Sequence, residues 1–378
     1  MQFELPEEIG ALAQSIDGFA RAELAPGAAE RALRSAFPRD VMKLFAAWGL
    51  NGIVVGSNDE GRPRGVLAGT VAVEAVARVC PRGADALHHG NFSAALLLAR
   101  YADGTCKDEL DQILAGNRLV TIAVTEEQAG SQASALETRA RVAGDHIIVD
   151  GGKRFATNSA EADAFVIYVR FGEDIGAVIV DGKSRGLSRG EPVAFMSGDR
   201  WCSLTFNEVA VPQPAALFRT GGFSVKGSFF DLEKIGNAAR ALGTGWCAFD
   251  AVREYAANRR QFGKTLSEFQ GLQWRLAEAR LALEAAQLTL YRVASRADHN
   301  MLRGEDATCA KLICNRAAMT ACDTAVQILG GAGYSQGNLV EYCFRKVRGQ
   351  LITGGVVELM LTRVAEAIFD RKFPQDAR

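Results

Sequence analysis

The sequence predicts an α+β protein in three parts: a helical segment over 1–117, a small β-barrel or sandwich over 118–218, and a helical bundle over 219–378. Three observations lead there. Apolar residues recur at helical spacing toward both ends of the chain. In the middle they form short runs broken by Gly, Asp and Pro. And 378 residues exceed one small domain, enough to bury about 75% of the unfolded surface without disulfide or metal staples.

Taken in order, Leu44, Ala47 and Trp48 sit at helical spacing, and the Ala/Val/Leu run 66–79 reads as a long helix. Residues 57–65, dense in breakers, read as a loop. The run 119–124 fits a strand. Residues 138–149 alternate around a turn at Gly144-Asp145, 164–169 and 177–180 are β-branched and apolar, and 204–211 closes the series before Pro212. The helical period then returns. Leu232, Ile235, Ala239, Leu242, Trp246 and Phe249 form one stripe. Phe269, Leu272, Leu276, Ala279, Leu283, Ala286, Leu290 and Val293 form another. Two such stripes argue for helices packed nearly antiparallel, with a further helix over 305–329.

Composition narrows the function. A net charge of −1 with four histidines offers no basic face for nucleic acid. No apolar run approaches the roughly 18 residues of a membrane span. The acidic start lacks the features of a signal peptide, so a cytoplasmic enzyme is expected. The eight cysteines show no metal-ligand spacing and read as free buried thiols.

Four segments bear on chemistry: Val124-Thr125-Glu126-Glu127-Gln128-Ala129-Gly130-Ser131-Gln132; Gly151-Gly152-Lys153-Arg154-Phe155-Ala156-Thr157-Asn158; Arg259-Arg260-Gln261-Phe262-Gly263 with Phe269-Gln270; and Val326-Gln327-Ile328-Leu329-Gly330-Gly331-Ala332-Gly333-Tyr334. Thr125 and Thr157 fall at strand ends, where hydroxyls can point at a fixed ring, and Phe155 offers a flat wall; read alone, they are ordinary strand residues. The Arg259 guanidinium matches paired phosphate oxygens, or caps a helix end. Gly330-Gly331 lets a backbone approach a nucleotide, or simply stops a helix.

In this order the segments resemble the acyl-CoA dehydrogenase family, whose members show TEPxAGSD, GxKxxITN, RxQFGxxxxxxQ and QxxGGxGY. The resemblance runs from Phe3 to about Phe369. It implies an N-terminal helical domain, a middle β-barrel domain and a C-terminal four-helix bundle. It implies FAD, with Thr125, Phe155 and Thr157 at the flavin ring and Ser131 near the cofactor phosphates. Arg259, Phe262, Gln270, Gln327, Gly330 and Gly331 would reach the FAD of a neighbouring subunit, hence a homo-oligomer, a dimer or a tetramer. The implied reaction is α,β-dehydrogenation of an acyl thioester on CoA or on a carrier protein. Electrons would pass to an electron-transferring flavoprotein or oxygen.

That reaction needs a carboxylate base in an apolar site. Many members place it in a C-terminal turn, where this chain has Gly354. A subset places it in an LxxER-type segment at the start of the long helix; here Glu233 fits, with Lys234 in place of Arg. A first-turn Glu also complements the helix dipole, worth roughly 0.3–1 kcal/mol, and Ser228 and Asp231 look like its cap. Glu358 is the next candidate. Gln132, Lys346, Val356 and the segment 58–64 also depart from the family pattern, which points to a specialised member. Two alternatives stand beside the dehydrogenase: an enoyl-thioester reductase or carrier-protein-specific oxidase, and a catalytically degenerate binding subunit.

Overall fold

The computed structural model describes residues 4–55, 64–101, 105–223 and 229–373. Residues 57–63 of the expected loop and the expected cap Ser228 lie outside the described residues. The chain divides into two compact units: Met1–Leu33 with Asn58–Asp85 and Asp231–Arg378, and Arg34–Ser57 with Ala86–Phe230.

The first unit is helical. Its main helices are α1 (Glu7–Phe19), α2 (Val66–Val79), α3 (Phe229–Asn258, from Asp231 onward), α4 (Gln270–Asp298), α5 (Asp306–Leu329), α6 (Leu339–Gln350) and α7 (Val357–Phe369). The predicted α3 stripe is buried throughout, and so is the α4 stripe from Ala279 to Val293. In α3 the burial goes further: residues 235–249 are buried on every side, apart from the partly exposed Arg240. Such a helix is the centre of a bundle, and its polar groups must be answered inside the protein. Small residues let it sit there. A Cβ on Gly243 would lie 2.4 Å from the Glu74 carbonyl oxygen of α2, and one on Gly245 would lie 2.7 Å from the Ala318 Cα of α5. The helix therefore meets two neighbours at backbone distance.

Helix α2 begins without a local cap. Its first amides, on Val66 and Leu67, donate instead to the carboxylate of Asp298 at the end of α4, at 2.6 and 2.9 Å. All eight cysteines are free, and all but Cys309 are buried. No helix among the described residues is long and apolar enough to cross a membrane.

The second unit is organised on an eight-stranded sheet: β1 (Val120–Ala123), β2 (Arg139–Ala143), β3 (His146–Lys153), β4 (Ala164–Phe171), β5 (Asp174–Asp181), β6 (Leu187–Arg189), β7 (Leu204–Pro212) and β8 (Ala216–Phe218). The strand order is β8-β5-β4-β2-β3-β7-β6, with β1 parallel to β4 off this path. Every strand expected from the short apolar and alternating runs is present, and the Gly144-Asp145 turn joins β2 to β3. Residues 164–169 of β4 are all buried, which explains their continuous apolar run.

The end of β3 carries a buried ion pair. Lys153 Nζ is 2.6 Å from Glu126 Oε1, and both side chains are almost fully shielded. Burial opposes ionisation of Glu126. The backbone N–H of Glu137, Lys153 Nζ and Thr138 overcome it and hold the carboxyl below the ordinary range. Breaking such a pair from one side strands a charge and costs about 3–5 kcal/mol. Lys153→Met should therefore lower the urea midpoint with little change in slope. An unchanged midpoint would show that the pair adds nothing to stability.

Candidate active site

The first two motif segments come together in the second unit. The Arg154 amide donates to the Thr125 carbonyl at 2.8 Å. Lys153 Nζ donates to the Val124 carbonyl at 3.1 Å, and Thr121 Oγ1 donates to the Thr157 carbonyl at 2.6 Å. The Glu126–Lys153 pair thus pins both segments at the end of β1. Between them Phe155 adopts φ 55°, a left-handed conformation unusual for a bulky residue, and its ring stays 51% exposed. It meets Phe195 edge-on at 6.0 Å, and Phe195 packs on Trp201 at 4.1 Å. A strained, exposed aromatic is characteristic of a ligand-facing position. Thr125 is half-buried beside it, while Thr157 and Ser131 are exposed. A flat apolar wall flanked by hydroxyls fits the ring of a flavin. Phe195 and Trp201 were not legible from the motifs, because their small hairpin (Val193–Ala194 with Arg200–Trp201) carries no comparable pattern.

The other two segments lie on exposed surface of the first unit. After α3, Arg260–Gln261 pairs with Lys264–Thr265, and the tip residues Phe262 and Gly263 both have positive φ, 49° and 79°. That is the conformation a two-residue hairpin of this kind demands. It presents Phe262 to solvent at 92% exposure. Thr265 and Glu268 form a capping box that leads into α4 at Gln270. Arg259, Gln270 and Gln327 are exposed, and nothing lies within 4 Å of where a Cβ on Gly330 or Gly331 would stand. The backbone there is open to close approach by a large partner group.

Glu233 occupies the second turn of α3. The residue keeps some surface, but its Oε2 is shut off from solvent. Burial lifts its carboxyl to about 8, against the pull of Arg240 and Lys311. Asp231, expected as part of a cap, instead accepts from Lys234 Nζ at 2.9 Å. Glu358 is exposed in the first turn of α7, where it complements the helix dipole. Gly354 has φ 67°, and a Cβ there would come within 3.3 Å of Lys311 Nζ. That buried ammonium donates to the carbonyls of Thr353 and, at 3.2 Å, of Gly355. Burial, reinforced by Lys234, draws it down to about 7.

A second buried cluster was not anticipated. Asp85 accepts from Lys346 Nζ at 2.7 Å, Arg240 Nη1 at 2.9 Å and Arg82 Nη1 at 3.2 Å. Lys346, noted in the sequence only as a departure from pattern, thus has a buried carboxylate partner. No spacing rule connects positions 85, 240 and 346; only the fold does.

With this geometry in view, comparison with known proteins is informative. Three family models match in succession: the acyl-CoA dehydrogenase N-terminal domain over residues 6–117, the middle domain over 121–209 and the C-terminal domain over 220–369. A short-chain specific acyl-CoA dehydrogenase of Clostridium acetobutylicum is 31% identical over 378 residues, covering 98% of this chain and 100% of that protein. The butyryl-CoA dehydrogenase structure from Megasphaera elsdenii superposes with a TM-score of 0.89 at 28% identity, covering 98% of this chain and 100% of that one. A chain solved in work on the electron-transferring flavoprotein of Acidaminococcus fermentans gives 0.90 at 29% identity, covering 97% and 99%. The chain belongs to the acyl-CoA dehydrogenase family of oxidoreductases.

Proposed function

We propose that the protein uses FAD to dehydrogenate an acyl thioester between its α and β carbons, with Glu233 as the base. The observation that carries this reading is the pairing of Glu233 with Gly354. Of the two positions from which the family supplies its base, one here has no side chain, and the other holds a carboxyl shut off from water. A carboxyl kept from water is a stronger base once ionised, because desolvation disfavours its charge.

The residues divide the work along the segments 1–117, 118–218 and 219–378. Phe155 supplies the wall of the flavin site, Thr125 and Thr157 its hydroxyls, and Ser131 lies toward the phosphates. Bound FAD supplies the acceptor for the β hydride. Glu233 receives the α proton on its carboxylate as the C–H bond breaks. Electrons then leave to an electron-transferring flavoprotein or to oxygen. Arg259, Phe262, Gln270, Gln327, Gly330 and Gly331 complete the FAD site of a second copy of the chain. The oligomer reading has further support on α4. Trp274, Leu281 and Leu288, spaced seven apart on one face, are all exposed, Leu281 by 67%. A stripe of large apolar residues in solvent is a surface that a partner covers.

The first test is the visible spectrum of the purified protein during anaerobic addition of acyl-CoAs and of carrier-bound acyl groups. The flavin band should bleach with one of them. Glu233→Gln should retain FAD and lose about 10²–10⁴-fold in bleaching rate; near-normal bleaching in that variant would remove Glu233 from its role. The pH dependence has a definite sign. The base works only when ionised, and its free-enzyme value lies at about 8, so kcat/KM should climb with pH and level off above that value. A flat profile across the range would mean that another group accepts the proton. Leu281→Arg should shift sedimentation toward smaller species and reduce bound FAD together, since both depend on the same partner copy. An unchanged assembly would place the interface elsewhere.

A further inference from the structure

Helices α2 and α4 are tied at two places. One is the Asp298 carboxylate on the first amides of α2. The other lies farther along α2, at Glu74, which is only 3% exposed. Gln287 of α4 donates its side-chain amide to Glu74 Oε1, and the same nitrogen donates to the Tyr291 hydroxyl oxygen at 3.2 Å. Glu74 Oε2 is shut off from solvent and accepts no well-formed hydrogen bond, although the Tyr291 hydroxyl stands close by. Neighbouring helices close the cluster. A Cβ on Gly243 of α3 would lie 2.4 Å from the Glu74 carbonyl oxygen. Cys314 of α5 feels the Glu74 charge, and its Sγ lies 3.5 Å from the Ala286 carbonyl of α4.

A buried carboxylate needs a cation or several donors to offset its lost hydration. Glu74 has one firm donor, a neutral amide. Arg78, one turn farther along α2, attracts it but is engaged elsewhere. Its Nε lies 2.6 Å from Asp250 Oδ2, and its guanidinium sits over the Trp246 ring at 4.8 Å. The charged and titratable groups that bear on Glu74 are thus Arg78 from its own helix, Tyr291 from α4 and Cys314 from α5. On the α3 side Gly243 has no side chain, and α1 turns only the apolar Ile9, Leu12, Ile16 and Phe19 inward. Burial outweighs the pull of Tyr291, Gln287 and Arg78 and lifts the carboxyl to about 7. The neutral acid fits the cluster well. With its proton on Oε2 it can donate to the Tyr291 hydroxyl oxygen, while Oε1 keeps the Gln287 amide. Ionisation removes that donor and strands a charge between the helices.

We propose that Glu74, Gln287 and Tyr291 form a pH-sensitive latch between α2 and α4, closed while Glu74 carries a proton and opened when it ionises. Residues 66 and 67 are tied to 298, and residue 74 to 287, so the two helices run antiparallel and Asp298 remains as the hinge when the latch opens. Gln287 and Tyr291 are themselves half-buried, so water enters from the α4 side. The sign follows from the raised carboxyl. Its stabilising effect is whole below the ordinary carboxylate range and is lost as pH rises through about 7.

The test compares the intact chain with Glu74→Gln, which keeps the shape and the Gln287 bond but cannot ionise. Urea midpoints are measured at about pH 6 and about pH 8.5. Glu233 and Lys311 also titrate near this range, but they are common to both proteins and cancel in the difference. Over that interval the unsubstituted chain should lose about 10-fold more of its folding equilibrium than Glu74→Gln. At the higher pH, alkylation of Cys314, located by peptide mass spectrometry, should be several-fold faster in the unsubstituted chain, because the open latch uncovers α5. Gln287→Met removes a donor that favours ionisation, so its loss of stability should begin at higher pH; it decides the matter if Glu74→Gln folds poorly. Parallel pH curves for Glu74→Gln and the unsubstituted chain, equal alkylation of Cys314 in the two, or an unmoved curve in Gln287→Met would each overturn the latch.

Discussion

Apart from the partly exposed Arg240, the helix Phe229–Asn258 has no face left for water over the fifteen residues from 235 to 249. Much of the first unit follows from that constraint. Its glycines bring α2 and α5 to backbone distance, so those helices can shift little without collision. Its charged residues must be met within the protein, as Arg240 is by Asp85. A carboxylate anywhere along such a helix begins with a large desolvation cost, which is why Glu233 sits so far from its ordinary acidity. With Gly354 in the C-terminal turn, that turn holds a buried lysine instead of a carboxylate. At 353–355 the backbone carbonyls hold an ammonium, and the glycine leaves room for it.

The second unit solves a different problem. Its motif residues keep an exposed aromatic ring and flanking hydroxyls on a rigid base. The means is a buried lysine-carboxylate pair that ties the end of β1 to the loop after β3. An ion pair so placed contributes direction more than net stability, because its carboxylate also gathers two backbone amides and fixes the chain between them. The strained backbone at Phe155 is the visible result. The loop is held by contacts on either side of a residue that would relax if it were free.

The fold was largely legible because period is a local signal. The alternating run 138–149 became β2 and β3, the apolar runs 164–169, 177–180 and 204–211 became β4, β5 and β7, and the run 66–79 became α2 with the same bounds. The local shape of the second motif was legible because its segment is contiguous: Lys153 through Thr157 carry their own geometry. The buried polar network was not. Asp85 and Lys346 are 261 residues apart, and the sequence marks only Lys346, as a departure from the family pattern. Asn237, 4% exposed in the structure, was silent for a different reason. An asparagine on a stripe-bearing helix looks like surface until the helix proves to be buried all round. Phe195 and Trp201 were missed because a two-residue strand pair is too short to show alternation.

Asp298 carries a consequence for how the molecule is made. The carboxylate that caps α2 is separated from the amide it caps by 232 residues. At a synthesis rate of about 5–20 residues per second, roughly 10–50 seconds pass between the appearance of Val66 and that of its cap. Over that interval the strands of the second unit, contiguous from 120 to 218, can emerge and pair while the apolar helix at 66–79 waits with its leading amides open. On the nascent chain this apolar helix therefore lacks its cap until the end of α4 has been made, so its first turn is completed late in synthesis.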